Sequence, residues 1–236
     1  MIDIAHKNIL LDVGDTLVKI TEPFEIYTNR AIEQLFYYLT DNNNLSITAF
    51  TASSMKIRNE IRAEAHKTLE EFSFSYFLRR IEEKLLVSFL DDFEKVEAAY
   101  VSEELKITSL INGTIPFLES AKSANKKLYI ATNNFSAIHV RLLLEQFDLL
   151  RFVDGIFISG EMGVRKPSAG FIDSICKSAD LDKTETIIIG DKPTMDLQAA
   201  LNSGIDSIWY NPSSKENPDS VLFTYQVQHH HQLNFV

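Results

Sequence analysis

The sequence predicts an α/β fold: a doubly wound parallel sheet, interrupted just after its first strand by an all-helical insert. Three observations carry this. Short apolar runs alternate with amphipathic stretches near both ends of the chain, the pattern of strands covered on two faces by helices. All eight glycines and six prolines of the 236 residues lie outside a long central block, with neither type between Pro23 and Gly113. Polar residues gather at the carboxyl ends of the apolar runs.

In chain order, NILLDV supplies the first strand and ends on Asp12. The breaker-free block contains IRNEIRAEAHKTLEEF and YFLRRIEEKLLVSFLDDFEKVEAAY, which read as helices packed on one another. Its turns are expected at Asp41 to Asn44 and in the Ser/Thr cluster from Ser46 to Ser54. The core resumes with the strands KLYIATN, GIFISG, TIIIGD and SIWYN. Between or before them lie the helical segments IPFLESAKSAN, SAIHVRLLLEQFDLL, SAGFIDSICKSADL and MDLQAALNSG. Ser168 is placed to cap a helix start and Gly204 to stop a helix end. The expected division is a core of residues 1–20 and 112–236 with a helical cap over 21–111.

Hydrophobic residues at 45% and charged residues at 24% are ordinary for a globular chain. A formal net charge of -10 disfavours nucleic-acid backbones and anionic membranes as partners. No stretch has the length of a membrane span, and the first residues lack a signal peptide's basic flank and cleavage site. The single cysteine, Cys176, excludes an internal disulfide framework. Together these readings point to a cytoplasmic protein.

Ligands of open parallel sheets bind beyond the carboxyl ends of the strands. Asp12, Thr132, Asn133, Gly190 and Asp191 all occupy such ends, and Lys166 in GVRKPS can join them. Paired carboxylates with few nitrogens suit a hard, oxygen-liganded ion such as Mg²⁺. The ammonium and hydroxyl suit a phosphoryl group, and a carboxylate held there can attack phosphorus.

Four motifs in order, LDVGDTLV, IATNN, the Lys166-Pro167 pair and GDKPTMD, resemble the haloacid dehalogenase-like hydrolases. The resemblance implies that Asp12 is the nucleophile and, with the Gly14 carbonyl and Asp191, a Mg²⁺ ligand. It implies that Thr132, Asn133 and nearby backbone hold phosphate oxygens. Lys166 would neutralise charge on the nucleophile and the phosphoryl group. Asp196 would orient Lys166 or a metal-bound water, and Thr16 would support the ligands without binding the ion. The aspartates of GDKPTMD favour the metal-dependent phosphatase branch over the metal-free dehalogenases, which carry a serine and an asparagine there. The implied activity is hydrolysis of a small phosphorylated metabolite through an aspartyl-phosphate.

Two positions depart from the family pattern. Gly14 replaces the usual acid/base aspartate, and Asp15 is not expected to substitute because its side chain should point elsewhere. Ala199 stands where many relatives have glycine. The alternatives are a phosphate-binding or regulatory protein with little turnover, or another reaction on the same nucleophile. Cys176 shares an apolar helical stripe with Ile172 and Ile175 and is expected in the core. His229 to His231 are read as a solvated tail. Arg58 and Arg62 are read as pairing with glutamates on a wet helix face, although they have the reach to meet an anionic substrate.

Overall fold

A computed structural model describes residues 1–90, 92–217 and 220–236. Its main sheet has six parallel strands: β1 (Asn8–Leu11), β2 (Lys127–Thr132), β3 (Gly155–Ile158), β4 (Thr186–Gly190), β5 (Asp206–Tyr210) and β6 (Tyr225–Val227). The spatial order is β6-β5-β4-β1-β2-β3. The chain runs outward from β1 to one side, then returns to fill the other. This reversal makes β1 the topological switch point, and a crevice opens beyond its carboxyl end. Leu11 lies opposite both Ile130 and Ile189, so the residues after these three strands meet at one edge.

All five apolar runs form strands; Asn8–Leu11 and Thr186–Gly190 are buried throughout, and Gly155–Ile158 is half-buried. Ile9, Leu11, Ile130 and Ile189 pack under Phe117, Leu118, Val140 and Leu144. Leu10, Ala131 and Ile188 pack on the other face against Phe171, Ile172, Ile175, Cys176 and Ala199. Adjacent residues of one strand thus serve opposite helical layers, as the period of two requires. The Ser168 hydroxyl accepts from the Gly170 amide at the start of helix Ala169–Ser178, and Gly204, at φ 72°, stops helix Gln198–Ser203.

Among the described residues the insert contains four helices: α1 (Phe24–Phe36), α2 (Ile47–Thr68), α3 (Phe74–Leu85) and α4 (Phe93–Lys106). It is not all-helical, since Leu39–Asp41 pairs antiparallel with Ser88–Phe89. Ile32, Leu35, Phe50, Ile57, Phe77 and Ile81 form a hydrophobic cluster against which Phe135, Ile138 and Leu142 of the core also pack. Asp41 to Asn44 is a turn, with the Asp41 carboxylate accepting from the Asn43 amide. The segment from Ser46 to Ser54 is not. The Ser46 hydroxyl accepts from the Ala49 amide and starts α2, whose next turns bury Phe50 and Ser54. A serine followed by an apolar face is a helix start as readily as a turn, and the buried face decides.

Insert and core are joined at several places, among them the Glu97 carboxylate, which accepts from the Ser136 hydroxyl. Strand Val18–Ile20 pairs antiparallel with Thr108–Leu110 and forms a neck where the chain leaves and returns. The α2–α3 linker adds an attachment that no sequence signal announced. Arg165 donates its amide to Leu69 O at 3.2 Å, Glu71 to Gly163 O at 3.1 Å, and Phe74 to Phe135 O at 2.9 Å.

The tail corrects another expectation. His230 is 2% exposed, stacked on Tyr210 at 4.5 Å and on Phe117 at 4.8 Å. Burial, with the neighbouring His229 and His231, pushes its imidazole down to about 4. His229 and His231 are exposed as expected, but His230 is not, because Tyr225–Val227 extends the sheet and Leu233–Phe235 pairs with Ile2–Ile4, pinning that histidine between them. Among the described residues no helix is long and apolar enough to cross a membrane.

Candidate active site

Asp12 extends β1 by one residue: its amide donates to Ile189 O at 3.0 Å, so its carboxylate stands at the crevice between β2 and β4. Its Oδ1 accepts from Lys166 Nζ at 2.7 Å and from the Thr132 hydroxyl at 3.3 Å. Lys166, 1% exposed, donates also to Asp196 Oδ1 at 2.5 Å and Ala131 O at 2.7 Å. All three ammonium protons are therefore used. Burial alone would lower the Lys166 pKa, but the two carboxylates outweigh it and hold the amine charged, above its ordinary value.

Asn133 lines the same cavity, and its amide grips the lysine's backbone. Nδ2 donates to Lys166 O and Oδ1 accepts from Lys166 N, each at 2.9 Å. Asp196 is fixed from a second side by the Lys192 amide, which donates to Oδ2 at 3.0 Å. Gly190 is required there. A Cβ on it would lie 2.2 Å from Asp196 Cγ, so any side chain would displace that carboxylate.

Asp191 follows, its backbone carbonyl accepting from Trp209 Nε1 at 3.0 Å. Its Oδ1 is buried without a hydrogen-bond partner. Burial, then the charges of Asp12 and Asp196, push its pKa up to about 8. Ligand atoms of Asp12, Asp191 and Asp196 all lie within 4.8 Å of one another. Three converging carboxylates, one with an orphaned oxygen, fit a hard divalent cation. Such an ion would satisfy that oxygen and reverse the repulsion.

Asp12, Gly14, Thr132, Asn133, Lys166 and Asp196 line one cavity of about 330 Å³. Asp191 instead borders a neighbouring cavity with Asp15, Lys19 and Lys215. Thr16 is fully buried, and its hydroxyl has no hydrogen-bond partner among the described residues. Gly14 faces open space, with nothing within 4 Å of a built Cβ. Asp15, in the left-handed region at φ 56°, lines only the second cavity. Neighbours in sequence thus diverge, and Asp15 does not take the place of a side chain at position 14.

The first cavity also holds residues that sequence reasoning assigned elsewhere or missed. Arg58 is half-buried and Arg62 exposed, as a helix face in water would be, but among the described residues neither is ion-paired with a glutamate. The Arg58 guanidinium lies 4.0 Å from the centroid of the Phe135 ring and the Arg62 guanidinium 4.7 Å from that of Phe24, both in the cavity wall. His66 and Arg165 join them. The signal was available: 58, 62 and 66 repeat at the spacing of one helix face.

Comparison with known proteins bears on the family and the fold. The family model described as "Haloacid dehalogenase-like hydrolase" matches residues 10–210. The pyrimidine 5'-nucleotidase PynA of Streptococcus pneumoniae is 36% identical over 124 residues, 52% of each chain. The pyrimidine 5'-nucleotidase YjjG of Escherichia coli is 29% identical over 140 residues, 59% of this chain and 61% of the other. The matches thus span only half to three-fifths of these relatives. A magnesium-bound crystal structure of the HAD-hydrolase YfnB of Bacillus subtilis has the same fold, with a TM-score of 0.63 at 23% identity, covering 97% of this chain and 96% of that one. With the motif-bearing strand ends assembled as described and the family model spanning most of the sequence, the chain belongs to the haloacid dehalogenase-like hydrolases.

Proposed function

We propose that the protein is a divalent-cation-dependent phosphatase that hydrolyses a small phosphorylated metabolite through an aspartyl-phosphate on Asp12. The observation that carries this reading is the state of the Asp12 carboxylate. Both hydrogen bonds it accepts land on Oδ1, from Lys166 and Thr132, which leaves Oδ2 free of hydrogen bonds among the described residues. Oδ2 attacks phosphorus and the bond from phosphorus to the ester oxygen breaks. The alkoxide departs and takes a proton from solvent or from the substrate itself, since Gly14 has none to give. Water then attacks phosphorus, the bond to Oδ2 breaks, and inorganic phosphate and the free carboxylate return.

Lys166 and Thr132 hold Oδ1 so that the nucleophile cannot rotate away, and Lys166 offsets the charge gathered by the phosphoryl oxygens. Asp196 keeps the ammonium aimed. A magnesium ion, held by Asp12, the Gly14 carbonyl and Asp191, supplies further charge neutralisation at the phosphoryl oxygens when bound. The helical insert covers the cavity with α2 and acts as a cap that excludes water and selects substrate.

A second reading, a phosphate-binding protein with little turnover, is favoured by one observation, the absence of an acid at position 14. Phosphate release from a panel of phosphomonoesters separates the two. The panel includes nucleoside monophosphates, because the matched relatives are named as pyrimidine nucleotidases. Magnesium-dependent release, abolished in Asp12→Asn, supports the phosphatase. Saturable binding without release from any ester supports the second reading.

A further inference from the structure

The cavity has two chemically distinct ends. One is the reaction end, with Asp12, Thr132 and Lys166. The other is a wall built by α2, which brings Arg58, Arg62 and His66 to it at four-residue spacing, and by Arg165 from the loop before Lys166. Three guanidiniums on one wall are conspicuous in a chain of net charge -10.

Two of them, Arg58 and Arg165, keep a buried Nε with no hydrogen-bond partner among the described residues. Arg165 is 9% exposed, its Nη1 3.5 Å from Glu71 Oε2. The two acids on this wall are engaged with the core. Glu71 accepts from the Ser159 hydroxyl at 2.9 Å, and Glu104 lies 3.6 Å from His139. Buried guanidinium donors without acceptors are costly, and an anion in the cavity would satisfy them. The local field agrees: burial, then the charges of Arg165 and Arg62, lowers the pKa of His66.

The aromatic residues argue against a stacked nucleobase: Tyr27, which also lines the cavity, is buried and meets Phe24 edge-on at 5.6 Å. Arg62 covers Phe24, and Arg58 covers Phe135. The Phe135 ring also meets Phe74 at 5.4 Å and Tyr100 at 5.9 Å. Its surface is taken up by these neighbours, so the cavity offers guanidinium edges where a base would need an open ring.

We propose that Arg58, Arg62 and Arg165 form a subsite for a second anionic group, a carboxylate or a phosphate, on a compact phosphomonoester. This rests on the phosphatase reading and narrows its substrate class to metabolites that carry one anionic group at each end of the cavity. The guanidiniums touch the far anion and leave the reaction end to Asp12 and Lys166.

Matched pairs test it: phosphoglycolate against hydroxyethyl phosphate, and fructose bisphosphate against fructose monophosphate, with uridine monophosphate alongside. In the unaltered protein the doubly anionic member of at least one pair should lead in kcat/KM by roughly tenfold or more, the scale of a charge-assisted hydrogen bond. The pair that shows the preference tells carboxylate from phosphate. Arg62→Gln and Arg58→Gln should each shrink that ratio severalfold, chiefly through KM of the doubly anionic member. Arg62 is exposed, so its variant carries little risk to folding.

The same pairs titrated calorimetrically into Asp12→Asn read the subsite without turnover. A binding preference with no phosphate release from the unaltered protein would keep the subsite and overturn the phosphatase. Release from both members at equal rates, a preference that survives both arginine variants, or uridine monophosphate outpacing both doubly anionic esters would overturn the subsite.

Discussion

The Lys166 ammonium lies 2.7 Å from Asp12 Oδ1, both groups buried and 154 residues apart in the chain. Asp196 completes the pairing at 2.5 Å. One cation between two buried carboxylates is a structural element as well as a functional one. Removing it would leave two negative charges without compensation. Lys166→Met should therefore cost stability on the order of 3 to 5 kcal/mol as well as phosphate release. Chemical denaturation measures the first effect and a phosphate assay the second. Near-wild-type stability would show that the three side chains relax apart.

Removal of divalent ions should act on both properties. With the Asp191 oxygen unpartnered and three carboxylates converging, the ion-free site is repulsive. Excess chelator should abolish turnover and lower the melting temperature. Magnesium at about a hundred times its dissociation constant should restore about 2.7 kcal/mol. Turnover that persists in chelator would contradict the metal assignment.

Gly14 makes the rate sensitive to the leaving group. A positioned acid contributes roughly 10²- to 10⁴-fold, and this site has none at that position. Aryl and acyl phosphates should turn over much faster than alkyl phosphates. Gly14→Asp has room for its side chain and should raise alkyl ester rates far more than aryl ones. A rate series against leaving-group pKa, run on both forms, measures this. A flat series in the unaltered protein would mean that another group already donates the proton.

His230 couples stability to acid. Its folded pKa of about 4 lies below the ordinary imidazole value of 6.5, so the unfolded chain binds the proton more readily. The neutral, stacked ring is fully stabilising above about pH 6.5, and that contribution is lost as pH falls from there toward 4. The change is on the order of 3 kcal/mol. His230→Phe should remove this part of the acid sensitivity, read as a flatter melting-temperature profile between pH 6.5 and 4. An unchanged profile would place the sensitivity in the carboxylates.

The parts legible in the sequence were those where local pattern and tertiary role coincide. Ile187 to Ile189 could be little other than a buried strand, and Asp12, Asp191 and Lys166 were found because strand ends converge in this topology. Three features depended on contacts without a local signature. Ser46 reads as turn or cap until the burial of Phe50 decides. His230 looks like tail until Tyr210 and Phe117 enclose it. Arg58 and Arg62 have the spacing of any exposed helix face, and only the cavity wall they share with Asp12 sets that face apart. The attachment through Leu69, Glu71 and Phe74 uses backbone groups, which no side-chain pattern reports.

The central claim is that Asp12 carries the phosphoryl group. Rapid acid quench of the protein during turnover of a labelled aryl phosphate, followed by peptide mapping, tests it most directly. The expected result is label on the peptide containing Asp12, chased by unlabelled substrate and absent from Asp12→Asn. Steady phosphate release with no label on that peptide at any quench time would contradict it.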